Sequence, residues 1–156
     1  MSIFIKFDKI KGSSTDAKFK EEVEAMSFQW GAGIGVSGAH GGDRTTSQAS
    51  VSEISITKQT DKSSELLFKS LLKGEDVGKA VISFVAASKG ESVAYATLTL
   101  EEVIISGFSM TSGGDMPSES VSLNFTKFDW SFTGRDAKGT GSPTHLIYDL
   151  MQNKVG

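Results

Sequence analysis

Few residues in this chain have the type and spacing to do chemistry. Gly33-Ile34-Gly35-Val36-Ser37-Gly38 repeats the spacing of a dinucleotide fingerprint and follows a strand. That fingerprint works only when a helix opens at once and turns its N-terminus to the pyrophosphate. Residues 39–50 hold two glycines, the adjacent Thr45 and Thr46, and no apolar stripe, so they read as a glycine loop. Glu53 stands near the distance of the ribose-binding acid but inside a strand pattern. Residues 74–79 (GEDVGK) are one residue short of a phosphate loop and place Ala80 where a hydroxyl must hold magnesium. Two histidines, His40 and His145, stand apart. A small hydrolase built on His145 with Asp149 would need a nucleophile-elbow sequence, and none is present. Glu101 and Glu102 project to opposite faces of a strand and cannot flank one substrate. Glu21, Glu22 and Glu24 read as a solvated strand entry. With no cysteine, thiolate catalysis, disulfides and thiolate metal sites are excluded. No catalytic residue, metal ligand set or cofactor site is expected.

The elements around these residues are mostly strands. Ile3, Ile5 and Phe7 alternate with Phe4, Lys6 and Asp8, and Ile54 and Ile56 alternate with polar neighbours. Met26, Phe28 and Trp30 share one parity and claim the core, which turns Ala25, Ser27 and Gln29 outward. Residues 80–87 and 93–106 read as strands with a parity shift near Glu101-Glu102. A second shift separates Val121, Leu123 and Phe125 from Phe128, Trp130 and Phe132. Such shifts mark bulges or corners. Gly113-Gly114 fits a hairpin loop, and residues 145–151 close the pattern. The one convincing helix follows residues 60–64, which can accept hydrogen bonds from its first N–H groups. Leu67, Phe68, Leu71 and Leu72 form its packing stripe, Glu65, Lys69 and Lys73 its outer face, and Gly74 its stop. Seven or eight sequential strands and one short helix predict a mainly β fold. It is expected to be a small antiparallel barrel or two-sheet sandwich.

At 156 residues, with 38% apolar and 22% charged, the chain is expected to be a single domain, 1–156. A net charge of −3 without a basic face argues against nucleic acid. No apolar run is long enough for a membrane span, and residues 1–6 fall short of a signal-peptide core, so cytoplasmic synthesis is expected. Residues 31–50 are the most glycine-rich segment and read as a flexible loop or extended arm.

Several stretches carry a resemblance: residues 3–6 (IFIK), 11–14 (KGSS), 22–31 (EVEAMSFQWG), 55–64 (SITKQTDKSS) with Leu66, 97–106 (TLTLEEVIIS), 119–127 (ESVSLNFTK) and 148–154 (YDLMQNK). In this order and spacing the chain resembles the Hcp family, the inner-tube protein of the bacterial type VI secretion system. Residues 31–50 have their own sequence, and residues 132–138 lack a proline that many members carry.

The resemblance implies a β-barrel of two sheets with one helix at its side. It implies hexameric rings that stack into a tube inside a contractile sheath, capped by a VgrG-like spike. Export with effector proteins would need no N-terminal signal. Partners would be further copies of the chain, spike, sheath and effectors. A phage-type tail-tube protein, sharing barrel and ring, is the alternative. In a tube, the uncharged face of Ala25, Ser27 and Gln29 would suit a lumen wall touching effectors. The arm would supply ring or stacking contacts through Gly31, Gly33, Gly35, Gly38, His40, Asp43 and Arg44.

Overall fold

The computed structural model describes residues 1–38, 42–133 and 142–156. The chain begins with β1 (Ser2–Phe7), β2 (Val23–Ala25) and β3 (Ser27–Gln29). Four two-residue strands follow: β4 (Ala32–Gly33), β5 (Val36–Ser37), β6 (Thr45–Thr46) and β7 (Ser50–Val51). β8 (Ile54–Gln59) leads into α1 (Ser64–Lys73). Then come β9 (Ala80–Ser88), β10 (Glu91–Glu101), β11 (Ile104–Thr111), β12 (Ser118–Asn124), β13 (Lys127–Phe132), β14 (Thr144–Asp149) and β15 (Lys154–Val155).

All the pairings are antiparallel. One sheet has seven strands in the order β15-β14-β13-β10-β9-β1-β2, the other four in the order β11-β12-β8-β3. Among the described residues no strand pairing joins the two sheets, so the sandwich form of the expected fold is the one observed. Between them lies the core, with Ile5, Ile82, Leu98 and Leu100 from the larger sheet and Ile54, Ile56, Val121 and Leu123 from the smaller.

The two expected parity shifts are corners at which the chain passes from one sheet to the other. Glu102, at φ 52°, ends β10, and Val103 starts afresh toward β11. Its backbone exchanges two hydrogen bonds with the turn after α1, Val77 N–H to Val103 O and Val103 N–H to Gly78 O. Phe125 and Thr126 make the second corner, between β12 and β13. A sandwich needs such corners because each sheet presents only one face inward.

A third corner lies at Met26, and it corrects the sequence reading. β2 pairs with β1 in the larger sheet, whereas β3 pairs with β8 in the smaller. Val23 and Ala25 point inward before the corner, Phe28 and Trp30 after it. Ala25 is therefore 6% exposed and belongs to the core, while Met26 is 62% exposed. Ala25 is not a lumen residue, because the run from 21 to 30 is two short strands of opposite parity.

The helix also differs from its expected packing. Its buried residues are Ser64, Leu67 and Ser70, with Leu71 half-buried. Leu72 is 70% exposed, and Phe68 is exposed apart from a tilted contact with Phe108, ring centroids 5.0 Å apart. Leu67 and Leu71 keep their packing role. Phe68 packs only at the margin, against Phe108, and Leu72 does not pack on the sheets at all. Gly74 ends the helix as expected, in the left-handed region at φ 62°.

Candidate functional site

Two surfaces stand out, and the first is the outer face of the four-stranded sheet. Register aligns Ser27, Thr57, Ser120 and Ser109 in one row across the four strands. Gln29, Ser55, Ser122 and Gly107 make the next, and Gln59, Ser118 and Thr111 a third. No position in these rows carries a charge. The hydroxyls bond to one another, Ser27 with Thr57 and Thr111 with Ser118. The nearest carboxylate, Glu53, sits at the end of the face and accepts from Ser106 Oγ at 2.7 Å and Asn124 Nδ2 at 3.1 Å. A face of this size normally carries charged side chains, because they are the most readily hydrated.

The second surface arises because seven strands cannot be covered by four. The inward parity of β13 and β14 runs past the smaller sheet, leaving Trp130, Phe132 and Leu146 exposed. Trp130 and Leu146 are directly paired in register. Trp30 packs edge-on against both Phe128 and Trp130 and closes the core at this margin. Its indole Nε1 is buried without a partner.

Among the described residues, 31–38 and 42–52 form a two-stranded ribbon next to β3 and β8. β4 pairs with β7 and β5 with β6. Ser47 Oγ accepts from Gly35 N–H at 2.9 Å, and a Cβ at Gly35 would come within 2.7 Å of that oxygen. Gly38 turns at φ 87°, with the Asp43 carbonyl where a Cβ would stand. Gly31, Gly33, Asp43 and Arg44 are all exposed on this arm. His40 lies outside the described residues.

Asp129 Oδ1 accepts from His145 Nδ1 at 2.9 Å, a cross-strand pair on the outer face of the larger sheet. Asp149 is elsewhere, accepting from the N–H groups of Met151 and Gln152 in the final turn. The pairing behind a hydrolase reading is therefore not formed. Among the described residues no group of His, Asp and Glu could hold a metal, and no helix is long and apolar enough to cross a membrane.

Sequence reading passed over one cluster altogether. Lys58 is 0% and Glu119 2% exposed, and they pair at 2.9 Å in the interior. The signal was there: Lys58 continues the inward parity of Ile54 and Ile56, and Glu119 that of Val121 and Leu123.

Comparison with known proteins identifies the arrangement. Residues 4–132 match the family described as "Type VI secretion system effector, Hcp". The chain belongs to the Hcp family. It is 29% identical to protein hcp1 of Pseudomonas aeruginosa, over 98% of this chain and 97% of that protein. A solved structure of a type six secretion system protein superposes with a TM-score of 0.90, at 26% identity and 99% coverage of both chains. Hcp1 from Salmonella typhimurium gives 0.81 at 25% identity, covering 99% of this chain and 98% of that one. Hcp proteins are structural, secreted, self-assembling components of type VI secretion.

Proposed function

We propose that this chain is the tube subunit of a type VI secretion system, a non-enzymatic protein whose hexameric rings stack and carry effectors in their lumen. The observation that carries this reading is the uncharged outer face of the four-stranded sheet, with Ser27 and Gln29 on its edge strand β3. A wall that must touch varied protein surfaces and still release them needs many weak contacts and no fixed charge, since a desolvated charge binds one partner and rejects another. Hydroxyl and amide groups donate and accept alike, so they remain satisfied by water when cargo leaves.

Trp130, Phe132 and Leu146 suit the contact between subunits, where apolar and aromatic side chains dominate the buried centre. The ribbon formed by β4 to β7 suits a contact with a neighbouring subunit or ring, through Asp43, Arg44 and its exposed glycine backbone. The spike and the sheath would meet the ends and outside of the tube. Export would follow with the effectors.

Gln29→Arg tests the lumen assignment. Ring mass and melting temperature should stay nearly unchanged, while co-purification or secretion of an effector changes. Breakage of the ring would put Gln29 at the subunit interface instead. Deleting residues 35–45 should leave the sheets folded and reduce tube formation; an unfolded deletion variant would make the arm part of the core.

A further inference from the structure

The two free edges of the four-stranded sheet, β11 and β3, lie beside two different apolar patches. Beside β11, α1 lays Phe68 against Phe108, and Phe68, Met110 and Leu72 stay exposed. A cleft of about 570 Å³ opens between the helix and the strand, with Phe68, Phe108 and Met110 as its apolar wall. Beside β3 lies the overhang of the larger sheet. There Trp30 meets Trp130 edge-on, and Trp130, Phe132 and Leu146 are uncovered. Within one chain β12 and β8 stand between the two edges.

Register sets the two patches at one height along the strands. Ile105 aligns with Leu123, and Leu123 with Ile54. Gln29 aligns with Ser55, so Trp30 comes opposite Ile54. At the other edge the turn after α1 bridges Asp76 to Ile104. The last turn of the helix, with Leu72, therefore comes to the level of Trp30, and Phe68 lies one turn away on Phe108.

Strand direction fits as well. Four antiparallel strands leave β11 and β3 running in opposite directions. A second copy turned about an axis along the strands keeps its direction and its level. Its β3 edge would stand antiparallel to β11, like every other pairing in the chain, and the uncharged rows would run on from copy to copy. An unpaired edge attracts such a partner, because its N–H and C=O groups are otherwise left to water. The same movement brings the overhang of the second copy over the helix.

We propose that the α1–β11 cleft, with Leu72 at its margin, is the docking site for the Trp130–Phe132 overhang of a second copy of this chain. The proposal rests on the tube reading above, and it names which surface covers the overhang. A two-fold contact would bring like patches together and use one flank of each chain. Contact between unlike patches covers both flanks and closes into a ring when the rotation closes. Phe68, Leu72 and Met110 against Trp130 and Phe132 would make the aromatic and apolar centre of the interface, with the exposed Glu65 and Lys69 at its rim.

The chain has no cysteine, so an introduced pair supplies its only thiols. Thr144 pairs with Phe132 on the overhang, and Leu72 contributes little to the fold of a single chain. The Leu72→Cys/Thr144→Cys double variant, treated with a short bis-maleimide, should give a covalent ladder that rises from two chains to six. Each single-cysteine variant should stay as one chain on a denaturing gel. In the otherwise native protein Leu72→Asp should lower the assembled mass toward one chain and leave the subunit folded. If the double variant does not assemble, the mass of Leu72→Asp decides. Rings of unchanged mass in Leu72→Asp, or rings whose cysteine pair gives no ladder, overturn the docking site and leave the tube reading standing. Covalent dimers from a single-cysteine variant mean that like patches meet, and overturn it too. Single chains in the native protein overturn both.

Discussion

The two sheets divide charge in opposite ways. In the seven-stranded sheet the inner face is apolar and the outer face carries Lys6, Asp129, His145 and Lys127, the usual arrangement for a protein in water. The four-stranded sheet inverts it. Its inner face holds Lys58 and Glu119, and its outer face is hydroxyls and amides with Glu53 at one end. The larger sheet overhangs the smaller and exposes aromatic side chains; the smaller has no comparable patch in its registered rows. Under the proposed function, the neutral outer face of the smaller sheet would line the lumen and the uncovered Trp130 and Phe132 would meet a neighbouring subunit.

This contrast can be broken at several points. The largest effect should come from Lys58→Met alone, which strands Glu119 inside the smaller sheet and should cost about 3–5 kcal/mol in urea unfolding. The double variant with Glu119→Leu should recover most of that loss. Next is the helix that covers the same region: Leu67→Ala should cost about 2–5 kcal/mol. Leu72→Ala should change stability by about 0.5 kcal/mol or less. Equal losses would contradict the burial of Leu67 and the exposure of Leu72.

Phe132→Asp tests the overhang. Light scattering should show the assembled mass falling toward that of one chain, while the unfolding free energy of the subunit moves by about 1 kcal/mol or less. A ring of unchanged mass would remove Phe132 from the interface.

The smallest effect concerns the edge of the larger sheet. Burial pushes the Glu22 carboxyl above its ordinary value, with the nearby Lys6 pulling the other way, and its Oε2 has no partner. Ionised Glu22 is thus less welcome in the folded chain than in the unfolded one. Its stability contribution is lost as pH rises from the unfolded pKa through the folded one. Glu22→Gln should therefore melt slightly higher at neutral pH, and the difference should close in acid. A difference that grew in acid would reverse the sign of this assignment.

Much of this arrangement was legible in the sequence. Alternation located the long strands, and the shifts at Glu101-Glu102 and after Phe125 marked two of the corners. Ser27 and Gln29 were placed on an uncharged outward face by parity alone. The corner at Met26 was not legible, because Ala25 is small enough to suit either face and each flanking strand has only three residues. The burial of Ser64 and the exposure of Leu72 were hidden for another reason: apolar spacing does not show which part of a stripe the sheets reach, and the charges that Ser64 bonds, from β8 and β12, come close only in the folded chain. Pairing within the arm left little trace, since glycine, serine and threonine satisfy a ribbon and a loop alike.

The central claim, that the uncharged sheet faces a lumen, is tested most directly by electron microscopy of the purified protein carried to side-chain resolution. The account predicts hexameric rings whose central hole is walled by Ser27, Gln29, Thr57 and Ser120, with Trp130 and Phe132 between subunits. Single chains at micromolar concentration, or a hole lined instead by Asp129 and His145, would contradict it.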